Sequence, residues 1–444
     1  MAKWEVNERK PVRSCVDLFC GAGGFSEGFR QAGFHTLAAI DNDPWAGGTF
    51  EINHRRHGAQ FILGDISSPR VQAELYGTIA GIRLDAVIGG PPCQAFSQVR
   101  NHHRVIDDPR NSLYRQYVTI IRKLRPRVFV MENVPGLQNL AGGAVRQQIL
   151  DDLQLEGEYR VASAVVDAAG FGVPQTRLRI LFIGVRRDLG IEPRFPVPDF
   201  PELPALQRHP VKTGTHRWGY HQIASLTAMP ALDALRDPND TQLVNVEQAI
   251  GDLIHLRPHT LLVRKPSNDP VSYQAAPCSA YQAARRAGSS ELFNADVPSI
   301  REDTVERLNV IPLGGNFRDL PEELSARYLN GKKWGPELGR QNLSRKYFFA
   351  YRKLHPDHFS WTLNTKSDCV FHYSCARSLT VREFARLHSF DDTYHFLVGD
   401  RHSRYQQVGN AVPPLLAHAI ARVVEGILRD ADTGRGRSLP AAAD

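Results

Sequence analysis

The chain has few cysteines and no long hydrophobic run. Its six cysteines include no Cys-x-x-Cys pair, so the sequence suggests neither a zinc site nor a disulfide framework, and no metal is expected. No apolar stretch approaches the roughly 20 residues of a membrane span, and the polar segment 1–13 has no signal-peptide core. These features predict a soluble protein of the reducing cytoplasm with no membrane partner.

Net charge and chain length restrict the possible partners and the number of domains less strongly. The formal net charge of +7 permits a nucleic-acid partner but does not establish one. The 444 residues are enough for two or three domains and a large core.

A strand, a glycine-rich turn and a helix are predicted at the beginning of the chain. The apolar run 14–19 leads into Gly21-Ala22-Gly23-Gly24, and a helix is expected from about 25 to 31. This order is typical of a nucleotide-binding unit. Ser26 stands where a G-x-G-x-x-G motif has its third glycine, which counts against a dinucleotide and its pyrophosphate.

Three acidic residues stand at the tips of three consecutive predicted strands. They are Asp17, Asp41 and Asp65, and Asp41 follows the glycine turn at the distance expected of a ribose-binding acid. Together they favour an adenosine-bearing ligand without phosphate, for which S-adenosylmethionine is the obvious candidate. The alternative for the second position is a helix cap, by Asp41 or by Asp43.

The stretch 89–97, Gly-Gly-Pro-Pro-Cys-Gln-Ala-Phe-Ser, follows a short buried strand predicted at 85–88. Glycines let a backbone approach a ligand closely, and prolines stiffen a turn. Cys93 is therefore expected at the carboxyl edge of a sheet, where open α/β folds bind substrates, and a thiolate suits a nucleophile there. The alternative is a buried structural cysteine in a proline-rich loop.

Three further charged residues are candidates for the same site. Glu132 follows a strand predicted at 127–131 and would lie beside the Cys93 loop if the two strands are neighbours. The alternative is a solvated glutamate at a strand end. Arg177 and Arg179 occupy alternate positions and would point to one face of a strand. They could hold an anionic or carbonyl-bearing substrate, or be the charges of an edge strand.

The second half of the chain is less regular. Prolines between 193 and 204 predict a linker, and residues 207–365 have poor periodicity. Thr380 and Glu383 form a predicted capping box, and an apolar helix is expected at 415–428. We predict a catalytic domain at 1–200, a second domain at 201–372, a C-terminal part at 373–430 and a disordered tail from about 430, assigned to 431–444.

Taken together, the chain resembles the DNA cytosine-5 methyltransferases across nearly its whole catalytic portion. The family usually has Glu where Asp41 stands, and Asp can still reach a ribose hydroxyl. The matching strings occur in the family's order: Asp17-Leu18-Phe19-x-Gly21-x-Gly23-Gly24, Gly64-Asp65-Ile66, Pro91-Pro92-Cys93-Gln94-x-Phe96-Ser97, Glu132-Asn133-Val134, Gln175-x-Arg177-x-Arg179, the stretch 377–390, and Gly409-Asn410-x-Val412-Pro413.

The resemblance implies an α/β fold, that of the class I S-adenosylmethionine-dependent methyltransferases. This is a Rossmann-like, twisted, mostly parallel sheet with helices on both faces, and a smaller target-recognition domain beside it. After residue 372 the chain would return to the catalytic domain. The implied cofactor is S-adenosylmethionine, with S-adenosylhomocysteine as product, and the implied partner is double-stranded DNA. A bacterial or archaeal enzyme, associated with the nucleoid, monomeric and paired with a restriction endonuclease, is the further expectation.

The resemblance also implies roles for individual residues. Cys93 would attack C6 of a flipped-out cytosine, and Glu132 would stabilise the resulting ring charge by sharing a proton with N3. Arg179, supported by Arg177, would hold the base. The expected cofactor pocket comprises Asp17, Phe19, Gly21, Ala22, Gly24, Asp41, Asn42, Asp65, Ile66, Pro91, Asn410 and Val412, and the expected DNA contacts are Gln94, Ser97, Arg100 and Gln175.

Two alternative functions remain open from the sequence. One branch of the family methylates cytosine in transfer RNA, although the long stretch 207–365 favours an enzyme that reads DNA sequence. A catalytically silent DNA-binding relative would need neither Cys93 nor Glu132. Amino-methyltransferases carry an Asp/Asn/Ser-Pro-Pro-aromatic string and zinc deaminases an H-x-E string, and the sequence contains neither.

Overall fold

The structure is a computed structural model that describes residues 12–92, 112–198, 243–256, 266–325, 351–364 and 370–434. At its centre is a seven-stranded sheet in the order β3-β2-β1-β4-β5-β7-β6. Its strands are β1 (Arg13–Leu18), β2 (Phe34–Asp41), β3 (Gln60–Leu63), β4 (Ala86–Gly89), β5 (Val128–Asn133), β6 (Tyr159–Asp167) and β7 (Leu178–Arg186). Neighbours from β3 to β5 are parallel, and β7 runs antiparallel to both β5 and β6. The predicted α/β fold with a mostly parallel sheet is confirmed.

Helices lie on both faces of this sheet, as its sequence requires. In β5, Val128 and Val130 face one apolar cluster while Phe129 and Met131 face the other. A strand with two buried faces needs apolar residues at every position. The helices are α1 (Gly24–Gln31), α2 (Pro44–His54), α3 (Pro69–Thr78), α4 (Ser112–Leu124), α5 (Ala144–Leu153), α6 (Val246–Ile250), α7 (Ala280–Arg286), α8 (Glu302–Val310), α9 (Val381–Leu387), α10 (Arg401–Asn410) and α11 (Pro414–Asp432).

The two faces are covered by different parts of the chain. Helices α1 and α11 pack together on the face of Val128, although they are nearly 400 residues apart in the sequence. Helices α3, α4 and α5 contribute to the cluster on the face of Phe129. The stretch Arg401–Asp432 is long and apolar enough to cross a membrane, but 72% of its apolar window is buried inside the protein. Helix α11 is thus a core helix by its packing.

The described residues between 243 and 400 form short elements beside the sheet. β8 (Arg352–Lys353) pairs with β9 (Val370–Phe371) in a two-stranded parallel sheet. An apolar cluster joins Val244 and Ile250 to Phe384 of α9, so the predicted boundary after residue 372 lies close to a shared core. The capping box at the start of α9 is confirmed, because Thr380 Oγ1 accepts from the Glu383 amide and the Glu383 carboxylate accepts from the Thr380 amide.

The end of the chain departs from the prediction. Helix α11 continues to Asp432, past the predicted end at residue 428. Asp432 accepts hydrogen bonds from Arg127 and Arg13, each at 2.6 Å, and Asp430 pairs with Arg194 at 2.7 Å. The prediction of a disordered tail from about residue 430 is therefore wrong at residues 430–434. These partners are far away in the sequence, so composition alone did not reveal them.

Candidate active site

Glu132 and Arg179 form an ion pair at the carboxyl end of β5. Arg179 Nε lies 2.5 Å from Glu132 Oε1, and each side chain is 12% exposed. The pair arises because β7 runs antiparallel beside β5 and places its first residues opposite Glu132 and Asn133. A carboxylate is thereby fixed in orientation and remains partly accessible from outside.

The residues after β4 are attached to this pair. A Cβ at Gly90 would lie 3.3 Å from Glu132 Oε2, a tight contact, so the backbone at Gly90 lies directly against the carboxylate. Asn133 Nδ2 donates to the carbonyl oxygen of Pro91 at 2.9 Å. The loop that leads to Cys93 therefore begins beside Glu132, as the sequence predicted if β4 and β5 are neighbours.

Four predicted site residues lie outside the described part of the chain. They are the nucleophile Cys93 and the expected DNA contacts Gln94, Ser97 and Arg100. Their roles remain predictions.

The glycine turn after β1 lies at the same edge of the sheet. Phe19, Gly21 and Gly23 all have positive φ (61°, 53° and 92°), and such a conformation is unusual for a non-glycine residue such as Phe19. Around Gly21 there is open space where a Cβ would stand, whereas a Cβ at Gly24 would overlap the Val412 carbonyl oxygen. The turn is thus open on one side and held by the C-terminal part of the chain on the other.

Two acids tie this turn to the sheet. Ser26, which stands in place of the third glycine, donates to Asp17 Oδ2 at 2.6 Å, and burial raises the pKa of Asp17 to about 7. Asp41 accepts from the Gly21 amide at 2.8 Å, and burial raises its pKa as well. The helix-cap alternative is confirmed for Asp43, which accepts from the first amides of α2.

The other predicted cofactor residues lie along the same chain segments. Asp65 is exposed and accepts from the Ser67 amide and hydroxyl, and these hydrogen bonds lower its pKa. Asn42 and Asn410 are exposed, while Ala22, Ile66 and Val412 are buried and Pro91 is anchored by Asn133. No structural observation assigns a ligand to them, so their roles remain predictions.

Arg177 lies elsewhere than predicted. Its side chain is buried and donates to three carbonyl oxygens, those of Leu363, Gly409 and Ala411. It precedes the first residue of β7, so the alternation of a strand does not apply to it. The interpretation that Arg177 supports Arg179 in holding the base is corrected to one in which the Arg177 guanidinium joins parts of the protein.

Gln175 is likewise an interior residue. It is 0% exposed, donates to Leu387 O and His388 Nδ1, and accepts from the Leu363 amide. Both the nitrogen and the oxygen of its side-chain amide are therefore hydrogen-bonded to protein atoms. The interpretation of Gln175 as a DNA contact is therefore corrected, since DNA cannot reach a side chain with no exposed surface.

Two residues near the glycine turn were missed by sequence reasoning. Trp45 is the second residue of α2, two positions after the Asp43 cap, and is 47% exposed. An aromatic residue just past an acidic strand tip was an available signal. The Tyr394 hydroxyl donates to the Ala22 carbonyl oxygen. No local pattern in the sequence indicates that contact, because the two residues are remote from each other in the chain.

Comparison with known proteins identifies the family. The sequence profile of the family described as C-5 cytosine-specific DNA methylase matches residues 13–426. The chain is 33% identical over 411 residues to the type II methyltransferase M1.HphI of Haemophilus parahaemolyticus, covering 92% of this chain and 86% of the relative. It is 31% identical over 450 residues to the type II methyltransferase M.AgeI of Thalassovita gelatinovora, covering 92% and 98%.

A solved structure agrees with the fold. A prophage-encoded DNA modification methyltransferase of E. coli has a TM-score of 0.64 at 22% identity, over 94% of this chain and 99% of that one. Since the family profile spans nearly the whole sequence, this chain belongs to the C-5 cytosine-specific DNA methylase family.

Proposed function

We propose that this DNA cytosine-5 methyltransferase modifies one cytosine within a short specific site of double-stranded DNA, through a covalent bond between Cys93 and C6 of the base. We further propose that the modification protects DNA from a cognate restriction endonuclease. The type II names of the relatives support this second statement. The double-stranded substrate requires the target base to be flipped out, because C5 and C6 are not accessible to a protein nucleophile within the base stack.

The observation that carries the proposal is the position of Glu132. Its carboxylate is held by Arg179 at 2.5 Å and lies against Gly90, three residues before Cys93 in the sequence. An acid and a nucleophile that act on one pyrimidine ring must approach the ring from neighbouring chain segments. Parallel strands β4 and β5 supply that arrangement, since their carboxyl ends meet at one sheet edge.

The residues present fit S-adenosylmethionine. Gly21 leaves open space at the turn, Asp41 binds the amide of Gly21, and the exposed ring of Trp45 lies at the start of the following helix. Acidic side chains and an aromatic face suit an adenosine with hydroxyl groups and a positively charged sulfonium, and they would repel a phosphate. We assign this turn, with Asp17, as the cofactor site.

When bound, S-adenosylmethionine supplies an electrophilic methyl carbon to C5. The chain's own residues prepare the base. The Cys93 thiolate forms a bond to C6, and the ring electron pair moves towards N3, which takes a proton from the protonated form of Glu132. C5 thereby becomes an enamine carbon. After methylation a base removes the C5 proton, and the C5–H electron pair forms the C5–C6 double bond as the C6–sulfur bond breaks. The thiolate leaves with the carbon–sulfur electron pair. N3 returns its proton to Glu132, which restores the aromatic ring.

Arg179 has a positioning part in this scheme. Its guanidinium fixes the rotamer of Glu132 and brings positive charge next to the ring on which negative charge develops. The Arg179 side chain also donates to the carbonyl oxygen of Leu178 at 2.6 Å, which limits its own freedom. The pair is thus oriented before DNA binds.

Methylation sequencing tests the proposal. DNA is taken from cells that express the protein and from matched cells that express Cys93→Ala. We expect 5-methylcytosine at a single short motif in the first sample and none in the second, because the alanine variant cannot activate C5. Unmodified DNA in both samples would reject the DNA substrate, and transfer RNA would then be assayed. Methylation by the alanine variant would reject the covalent mechanism.

A further inference from the structure

His388 lies at the junction of three parts of the molecule. It is 0% exposed and follows α9. Its Nδ1 lies 2.8 Å from Gln175 Nε2, and its Nε2 lies 2.8 Å from the carbonyl oxygen of Ala411. The imidazole therefore connects the segment before β7 with the turn between α10 and α11.

The hydrogen bonds of this junction have a defined direction. Gln175 Oε1 accepts from the Leu363 amide at 3.1 Å, so the Gln175 amino group must face His388. His388 Nδ1 is then the acceptor and Nε2–H donates to Ala411. Burial lowers the pKa of His388 well below its ordinary value, in keeping with this neutral tautomer. One continuous series of hydrogen bonds thus runs from Leu363 through Gln175 and His388 to Ala411.

Arg177 runs parallel to this series. It donates to the Leu363 carbonyl oxygen at 3.1 Å and to the carbonyl oxygens of Gly409 and Ala411 at 2.8 and 3.1 Å. The amide and the carbonyl of Leu363 are therefore both joined to the turn 409–411. Two independent connections between the same points resist relative sliding more than one does.

The two ends of the junction serve different parts of the site. The segment 360–364 belongs to the predicted target-recognition region, and it is hydrogen-bonded to 174–176 through Ser360 and Thr362. The turn at Ala411 and Val412 packs on Gly24 of the cofactor turn. Arg179, which pairs with Glu132, follows Arg177 by two residues in the chain.

We propose that His388 is a positioning residue for methyl transfer, which holds the recognition segment 360–364 and the turn 409–411 in a fixed relation through Gln175 and Ala411. DNA that binds to the recognition region is thereby aligned with cofactor that binds at the glycine turn. The inference rests on the proposed function. It deepens that function by assigning the alignment of the two substrates to a residue that contacts neither.

Substitution of His388 leaves its partners with other hydrogen bonds. Gln175 Nε2 also donates to Leu387 O at 2.9 Å, and Ala411 O also accepts from Arg177. His388→Leu therefore removes the connection at similar volume, and Gln175 Nε2 and Ala411 O each keep one hydrogen bond. His388→Gln retains one acceptor and one donor and can replace both bonds.

The test measures the alignment of bound DNA with bound cofactor separately from the stability of the protein. Binding of S-adenosylhomocysteine is measured by calorimetry with free enzyme and with enzyme bound to a duplex that carries the methylated site found by sequencing. Steady-state kcat and KM for that duplex are measured in parallel, and thermal unfolding is followed for each variant. His372→Leu is the control, since His372 is also 0% exposed and accepts a backbone hydrogen bond but lies outside the junction.

We expect His388→Leu to lower kcat about tenfold and to lose most of the DNA-dependent gain in S-adenosylhomocysteine affinity. Affinity in the free enzyme and KM for DNA should change by less than about twofold, and His388→Gln should recover most of kcat. If the leucine variant does not fold, His388→Asn replaces it, because the shorter amide reaches only one of the two partners.

Two results would overturn the inference while the proposed function stands. In the first, His388→Leu and wild type show equal kcat and equal DNA-dependent affinity. In the second, losses in His388→Leu and His372→Leu both follow thermal stability alone. Wild-type enzyme that transfers no methyl group to DNA would instead reject the proposed function, and the inference with it.

Discussion

The seven-stranded sheet and the short elements that the structure describes between residues 243 and 400 differ in which contacts fix their backbone. In the sheet, strands pair over four to nine residues, and apolar clusters cover both faces. In the second region, buried charged side chains make many of the connections. Arg386 pairs with Asp252 and Asp392, each at 2.7 Å, and all three are buried.

This difference concerns specificity as much as stability. Apolar burial is favourable but non-directional. The backbone hydrogen bonds between paired strands repeat the same pattern along the whole strand. A buried ion pair adds little net stability because desolvation offsets its attraction, but it strongly disfavours any arrangement that separates the partners. In the second region, buried ion pairs therefore act together with apolar clusters to hold the short elements in one arrangement.

The largest expected effect concerns a charged pair within the sheet. Glu132→Gln should lower kcat by about 10²- to 10⁴-fold, because the amide cannot donate a carboxylic proton to N3. Binding of S-adenosylhomocysteine should be retained. The measurement is a single-turnover methyl-transfer assay, with Glu302→Gln on the exposed first turn of α8 as the matched control. Normal turnover in the Glu132 variant would remove Glu132 from the mechanism.

The second prediction tests whether ion pairs at the ends of the strands also contribute to the stability of the sheet. Asp432→Asn should lower the free energy of unfolding by about 2 kcal/mol, because Arg127 and Arg13 then lose a charged acceptor near the buried strand ends. Asp430→Asn, which affects a single pair with Arg194, should cost less. Denaturant unfolding measures both. Equal values for the two variants would show that the clustering of charge at Asp432 is unimportant.

A third prediction compares one buried histidine from each region. Burial lowers the pKa of His54 in α2 and of His372 after β9 to about 4. Between the ordinary value near 6.5 and about 4, the unfolded chain binds protons that the folded chain does not. The stability that these neutral residues contribute is therefore present above pH 6.5 and is lost as the pH falls towards 4, by about 3 kcal/mol for each histidine.

The measurement is the free energy of unfolding against pH for wild type, His54→Gln and His372→Gln. Each glutamine variant should show a shallower decline through this window, because glutamine does not titrate. A slope as steep as that of wild type would mean that other groups cause the acid sensitivity. Unequal effects of the two substitutions would show that one region opens to solvent before the other.

Sequence patterns were most informative where structure depends on neighbouring residues. The capping box at Thr380 was identified from residues three positions apart. The strands were located to within a few residues, and the glycine turn and Glu132 were placed at strand ends. These features follow from apolar periodicity, backbone geometry and short-range hydrogen bonds, all of which a linear sequence displays.

Arg177 and Arg179 show what remained for the tertiary structure to decide. They belong to one short motif, yet their side chains have different partners. Arg179 pairs with Glu132, whereas Arg177 donates hydrogen bonds to the carbonyl oxygens of residues 363, 409 and 411. Gln175, His388 and Asp432 are similar in this respect, since each forms hydrogen bonds with residues that are far away in the sequence. The sequence by itself determined the family, the sheet and the order of its motifs, because these depend on local pattern. Only the fold decided which polar groups touch substrate and which join the parts together, because buried hydrogen bonds are satisfied by whatever groups packing brings near.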